Sequence, residues 1–406
     1  MTNTKHLSQP APHRPLRTLF LITSMPVGGA EVLLVNLIRR LDRQRITPQL
    51  CCLKELGPLG EELAEEIPAH HHLIGGKYDV AVLWRLVRLM RKQQIDAVVT
   101  VGAGDKMFWG RLAARLAGVP VICSALHSTG WPDGVGRMNR LLTPITDAFI
   151  GVARPHGRHL IENERFPAER VHVIPNGVDI ERFQPNPVAA ARLRHQLNIP
   201  ADAPVCGIVA ALRPEKNHEL FVAAAAYVHQ QMPTSHFVIV GDGSERAKIA
   251  AAISNHGLGD HFHLLGSRSD VPEVLSMLDA FMLTSHNEAN PVSILEAMAV
   301  GLPVVSTDVG SISESVEQGV TGFLCQPGNA IELADSLLTI FNDPELAARF
   351  AAAARQRVVT NWSLDVMVLG YEELLWSVFK QKREMPAPPC QQPVIETPVE
   401  ELSPIA

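Results

Sequence analysis

Short runs of β-branched and apolar residues alternate with amphipathic stretches along this chain, in two successive series. A strand bounded on each side by a helical segment cannot pair with its neighbour through a hairpin, so the alternation calls for parallel sheets covered by helices on both faces. The first series predicts strands at "TLFLITS" (18–24), "PQLCCL" (48–53), "DAVVTVG" (96–102), "PVICSAL" (120–126), "AFIGVA" (148–153) and "VHVIPNG" (171–177), with helices over 30–41 and 105–118. The second predicts "PVCGIVAAL" (204–212), "SHFVIVGDG" (235–243), "HFHLLG" (261–266), "AFMLTS" (280–285) and "PVVSTD" (303–308), with a helix over 218–231. The series meet near "IPNGVDIERFQPNP" (174–187). The expectation is an α/β protein of two doubly wound domains facing across a cleft. The first spans 17–178 and the second 179–368. A length of 406 residues suits two hydrophobic cores better than one. An amphipathic helix at 369–384 either packs on the second domain or crosses back to the first, and the polar, proline-containing ends at 1–16 and 385–406 read as disordered.

Composition removes several function classes. A net charge of -6 carries no basic excess for nucleic acid. The six cysteines include no C-x-x-C pair, so neither a zinc site nor a disulfide framework is expected. The N-terminus lacks a signal-peptide core, and no window approaches 18 uninterrupted apolar residues. The expected location is cytoplasmic, possible contact with the inner face of a membrane included.

The chemistry concentrates in "SHNEANPVSILEAMAVGLPVVSTDVGS" (285–311). A strand ends at Ser285, a short loop follows, and a helix opens at Pro291 with Asn290 as its expected N-cap; Gly301 and Pro303 stop it. Such a helix mouth, here Asn290, Pro291, Val292, Ser293 and Ile294, offers free N–H groups and a positive dipole end to an anion. It lies at the carboxyl end of a parallel strand, where open α/β sheets bind ligands. Glu288 precedes it and Glu296 follows, and carboxylates accept from vicinal hydroxyls. A phosphate between two hydroxyl acceptors describes a sugar nucleotide. The plainer alternative makes Glu288 a solvated loop charge and Glu296 an exposed helix residue. Gly28 and Gly29, in the first strand-to-helix turn, and Gly241 and Gly243, after "FVIV", let backbone approach a ligand closely.

The Glu288–Glu296 segment resembles the E-x7-E motif of retaining glycosyltransferase family 4, whose GT-B fold has two Rossmann-like domains. "PVGGAE", "RPEKN", "VIPNGVD" and "EQGVTGFLCQPGN" also match, and the resemblance covers about residues 17–380. It implies transfer of a sugar, with retention, from a uridine or guanosine diphosphate sugar to a saccharide or lipid-linked acceptor, in cell-surface or extracellular polysaccharide or glycolipid synthesis. It makes Lys216 the phosphate-binding lysine and Glu288 a sugar-binding carboxylate; His127 faces the donor sugar, and the Gly28–Gly29 loop serves the diphosphate and the acceptor side. The usual Gly-Arg before the lysine is replaced by Ala210 and Ala211, leaving Arg213 as the candidate guanidinium. Arg268 and Val271 fall where the family holds the nucleobase. No D-x-D pair suits a metal, so transfer without metal or cofactor is expected, by front-side displacement. A sugar-nucleotide epimerase of the same fold and a non-catalytic partner are the alternatives. The acceptor leaves little trace. Helices at 80–94, with Arg85, Arg88, Arg91 and Lys92, and at 105–118, with Lys106, Arg111 and Arg115, either lie on anionic lipid or present ordinary solvated basic faces.

Overall fold

The computed structural model describes residues 14–76, 79–102, 105–127 and 140–384, and for 105–107 the backbone alone. The expectations for 1–13, for 385–406 and for the Lys106 side chain lie outside this description. The disorder expected for 1–16 is corrected at its end. Arg14 donates to Asp96 at 2.6 and 2.9 Å, and Leu16 opens the first strand.

Among the described residues, the first sheet comprises β1 (Leu16–Ile22), β2 (Ile46–Cys52), β3 (Ala69–His70), β4 (Ala97–Val101), β5 (Val121–Ala125), β6 (Ala148–Gly151) and β7 (Val171–Val173). Their order is β3-β2-β1-β4-β5-β6-β7, parallel throughout. The second sheet contains β8 (Val205–Val209), β9 (His236–Val240), β10 (Phe262–Gly266), β11 (Ala280–Leu283), β12 (Val304–Thr307) and β13 (Gly322–Cys325). It runs β10-β9-β8-β11-β12-β13, again parallel. Strands such as "VICSA" and "AVVTV" are apolar on both faces because helices cover both faces. Each sheet reverses its strand order once, between β1 and β4 and between β8 and β11. Loops leaving the carboxyl ends of such strand pairs diverge and open a crevice.

On one face of the first sheet, Leu33, Leu34 and Leu37 of the helix Gly29–Arg40 pack with Tyr371, Leu374 and Leu375 of the helix Leu364–Glu384. The last helix therefore crosses back onto the first body. Glu372, buried, holds it there by accepting from the Asp42 N–H at 2.7 Å and from Arg45 at 2.8 Å. On the other face, Val82, Leu86 and Met90 of the helix Val82–Lys92 join Ala113 and Ala114 of the helix Asp105–Ala117. Arg111, read from sequence as part of a basic surface, is corrected. It is 1% exposed, donates to Thr146 Oγ1 at 3.0 Å and lies over Phe149, and burial lowers its pKa to about 10.

The chain passes between the bodies near Val178 and again near Ser363, and the two passages are bonded to each other. Val178 N–H donates to Trp362 O at 2.8 Å and Leu364 N–H to Val178 O at 2.9 Å. Gly177 lies so close that a Cβ there would stand 2.8 Å from Leu364 Cα, which requires glycine. Arg40 spans both passages, reaching Asp179 at 3.1 Å and Asp365 at 3.0 Å. No helix among the described residues is long and apolar enough to cross a membrane.

Candidate active site

The site grows from the ends of β8 and β11, the neighbours at which the second sheet reverses. Beyond β8 the chain makes a 3-10 turn, Pro214–Lys216, closed by Asn217 in a left-handed conformation with φ 49°. Beyond β11, Thr284 Oγ1 donates to Asn217 O at 3.0 Å and His286 N–H to Glu215 O at 2.9 Å, locking the two loops together. Lys216 Nζ consequently stands 2.5 Å from Glu288 Oε1, and Ser285 Oγ lies 2.6 Å from the same oxygen. Glu288 is 8% exposed, so it is no solvated loop charge. Its backbone oxygen accepts from Ser311 N–H at 3.1 Å and presses on Gly310, whose φ is 59° and where a Cβ would stand 1.8 Å from that oxygen. Sequence reading missed Ser285 and Gly310; "DVGS" at a strand end was the available sign of a glycine-dependent approach.

The helix following the loop runs Val292–Val300 and ends at Gly301, φ 87°, as its sequence predicts. Its start differs from expectation. Pro291 occupies the cap position, and no side chain caps the helix. Asn290 lies one residue before the cap; its carbonyl accepts from Asn176 Nδ2 at 2.9 Å, and its own Oδ1 and Nδ2 are buried without a hydrogen-bond partner among the described residues. The first N–H groups, at Val292 and Ser293, are thus left to a ligand or water. Glu296 is the sole charge in "VSILEAMAV", on a helix whose other turns are largely buried. Half-buried itself, it has a carboxyl pKa pushed up by burial to about 7, against the pull of Arg182.

Other expected ligands are placed differently. Arg213 accepts from the Lys216 N–H through its carbonyl at 3.0 Å, but its guanidinium is mostly exposed and lies 3.9 Å from Glu215 rather than beside Glu288. Arg268 is committed to Asp270, at 2.7 and 2.5 Å, and Val271 opens the short helix Val271–Ser276. Gly241 and Gly243 are demanded by the chain's own backbone: a Cβ would meet Ala210 O at 1.9 Å and Leu212 O at 2.4 Å. Gly28 caps the helix Gly29–Arg40 without a side chain, and a Cβ on Gly29 would meet nothing within 4 Å. His127 follows β5, half-buried, and lines a small apolar cavity with Phe20, Leu37, Val101 and Tyr371. The geometry therefore brings together a cation, a buried carboxylate and an uncapped helix start at the carboxyl ends of β8 and β11.

Two family models match, "Glycosyl transferases group 1" over residues 190–357 and "Glycosyltransferase Family 4" over residues 27–182. The UDP-Gal:alpha-D-GlcNAc-diphosphoundecaprenol alpha-1,3-galactosyltransferase of Escherichia coli is 27% identical, over 84% of this chain and 92% of that protein. The 2-deoxystreptamine glucosyltransferase of Streptomyces kanamyceticus is 30% identical, over 65% of this chain and 73% of that one. Among solved structures, Anabaena Alr3699/HepE in complex with UDP is similar with a TM-score of 0.79 at 25% identity, over 89% of this chain and 100% of that one. A glycosyltransferase from Rickettsia africae, at 21% identity, shares the fold with a TM-score of 0.80, over 91% and 100%.

Proposed function

This chain belongs to the family 4, group 1 glycosyltransferases, and from that membership we propose that it transfers a sugar, with retention, from a uridine or guanosine diphosphate sugar to a saccharide or lipid-linked acceptor. It is a transferase of the two-body GT-B fold, and the named relatives are transferases, which sets aside the epimerase and the non-catalytic alternatives. The observation that carries the finer reading is the contact of Lys216 with Glu288 beside the uncapped start of Val292–Val300.

In the reaction we propose, the bond from the sugar's anomeric carbon to the β-phosphate oxygen breaks. A bond from the same carbon to the acceptor oxygen forms on the same face. The acceptor proton passes to the departing diphosphate. Charge accumulates on that diphosphate, so the largest contribution comes from groups already aimed at it: the Lys216 ammonium and the N–H groups of Val292 and Ser293. They supply positive charge without calling on a metal. Glu288, oriented by Ser285 and Lys216, would accept from the sugar hydroxyls, and Glu296 from the ribose. Arg268 and Val271 would border the base, Gly28 and Gly29 the diphosphate, and His127 the sugar. Arg213 would have to swing from Glu215 to contribute.

For the acceptor, we propose a lipid-linked saccharide reached at the membrane's inner face, in polysaccharide or glycolipid synthesis. Trp84 is 65% exposed on the helix Val82–Lys92 and Val80 67% exposed in the turn before it, with Arg88, Arg91 and Lys92 exposed on the same helix as Trp84. A thermal-shift panel of uridine and guanosine diphosphate sugars, followed by acceptor screening with the stabilising donor, tests the whole reading. No stabilisation by any member would overturn it.

A further inference from the structure

Among the described residues, two hydrogen bonds run from the first body to the loops around Glu288. Asn176, two residues before the passage at Val178, donates to Asn290 O from one side. From the other, the Glu314 carboxylate accepts from the Arg154 N–H at 2.7 Å. Arg154 opens the helix Arg154–Glu162 of the first body, where Ala153 offers no side-chain cap. Its N–H is one of the groups a helix start leaves unpaired, and the dipole there favours a carboxylate. The Arg154 side chain is 86% exposed and its nitrogen 3.7 Å from Glu314, so the ion pair itself is weak and the N–H bond is the specific contact.

Glu314 is also fixed from behind. Arg357 donates to Glu314 O and Ser315 O, each at 3.1 Å, and its guanidinium lies 5.4 Å from the ring of Trp362, whose carbonyl holds Val178 at the passage between bodies. Three residues before Glu314, Ser311 N–H holds the carbonyl of Glu288. One short segment, 310–314, therefore supports Glu288, is braced against the passage and caps a helix of the opposite body. We propose that Glu314 is a positioning residue: by capping Arg154–Glu162 it sets the angle at which the first body closes over the donor, and thus the approach of the acceptor to the bound sugar. Its kinetic consequence rests on the transferase reading; the contact between bodies does not.

Arg154→Pro is the informative variant. It deletes the N–H together with the side chain, for which Arg154→Ala is the control, at the first helical position, where proline is tolerated; Ala153 is already extended as a residue before proline must be. Glu314→Ala removes the acceptor, Glu314→Gln keeps an oxygen acceptor without the charge, and Arg154→Ala keeps the N–H. In the ligand-free full chain, hydrogen exchange at the Arg154 amide is expected to quicken about tenfold or more in Glu314→Ala and to stay slow in Glu314→Gln. The radius of gyration should increase in Glu314→Ala and Arg154→Pro. With a working donor and acceptor, kcat should fall between about tenfold and a hundredfold in those two variants, while donor KM and the Kd for UDP stay within about twofold. Arg154→Ala and Glu314→Gln should transfer at near wild-type rates. Unchanged exchange in Glu314→Ala, or a Kd for UDP that weakens in step with kcat, overturns the proposal. A wild-type chain that binds no UDP counts against a uridine donor only, and exchange and radius of gyration then decide the role of Glu314.

Discussion

Glu288 receives Lys216 and Ser285 on a single carboxylate oxygen, Oε1, at 2.5 and 2.6 Å. Its second oxygen has no partner among the described residues. In the reaction proposed above, a donor diphosphate would compete with Glu288 for the Lys216 ammonium, and the carboxylate would exchange that partner for sugar hydroxyls.

That sharing predicts strong coupling between the two side chains. Lys216→Ala and Glu288→Gln should each lower kcat/KM by about 10²–10³, the usual cost of removing one preorganised electrostatic contact. The double variant should lose far less than the product of the two, because each single change already disrupts the same couple. Steady-state kinetics on the four proteins measures this, and additive losses would show that the two residues act apart.

Gly310 and Gly319 both have positive φ, 59° and 72°, but differ in their surroundings. A Cβ at Gly310 collides with Glu288 O, whereas one at Gly319 meets nothing within 4 Å. Gly319→Ala should cost about 1 kcal/mol, the conformational penalty alone. Gly310→Ala should cost about 2–4 kcal/mol and abolish transfer, because the loop carrying Glu288 must move. Urea unfolding with parallel activity assays separates the two.

Glu296 makes the donor body sensitive to pH near neutrality. Its folded-state pKa, about 7, lies above the 4.5 of a free glutamate, so between those values the folded protein binds more protons than the unfolded one. Stability should therefore decrease as pH rises from 4.5 through 7. Glu296→Gln should remove that slope and raise Tm at pH 7.5. An unchanged pH profile in the variant would mean that the carboxyl is not the group responsible.

A histidine cluster at the opposite edge of the second sheet acts in the other direction. His236 Nδ1 lies 3.2 Å from His263 Nε2, and the rings of His229 and His261 are 4.2 Å apart. Burial, then the neighbouring His261 and His263, lower the His236 pKa from 6.5 to about 4. Here the unfolded state binds the extra proton, so stability is complete above pH 6.5 and is lost as pH falls toward 4. His236→Gln should narrow the Tm difference between pH 7.5 and pH 5, as calorimetry would show.

Membrane contact through the helix Val82–Lys92 predicts a charge-dependent affinity. Arg88→Glu with Arg91→Glu should abolish sedimentation with vesicles containing phosphatidylglycerol and leave the already weak binding to pure phosphatidylcholine unaltered. Trp84→Ala should weaken the same binding by about tenfold at unchanged charge. Equal binding of all variants would leave the helix as a solvated sheet cover.

Much of the architecture was legible because parallel strands announce themselves as short apolar runs. The helix His218–Gln231 and the helix stop at Gly301 fall where the sequence puts them. The two-residue β3 is too short to leave a pattern, and β13 is hidden in a glycine-bounded loop, "TGFLCQ". At the site, Lys216 and Glu288 were readable as charged residues at strand ends. Ser285 and Gly310 were not: the Ser285 bond depends on how the three-residue loop to Glu288 turns, and Gly310 acts through a close approach to a residue 22 positions earlier. Asn290 misled because its N-cap propensity is local, whereas the helix starts one residue later, with Pro291 at the cap position. Arg111 misled because periodicity cannot show that a cation is covered by a neighbouring strand and turn.

The bonded passages at Val178 and Ser363 also determine how the polypeptide comes together during synthesis. The helix that closes one face of β1–β7 is encoded after the whole second body, so the ribosome must deliver that body before Leu33, Leu34 and Leu37 find their partners. The nascent first sheet emerges with a bare greasy flank and waits through the synthesis of an entire second sheet for its cover.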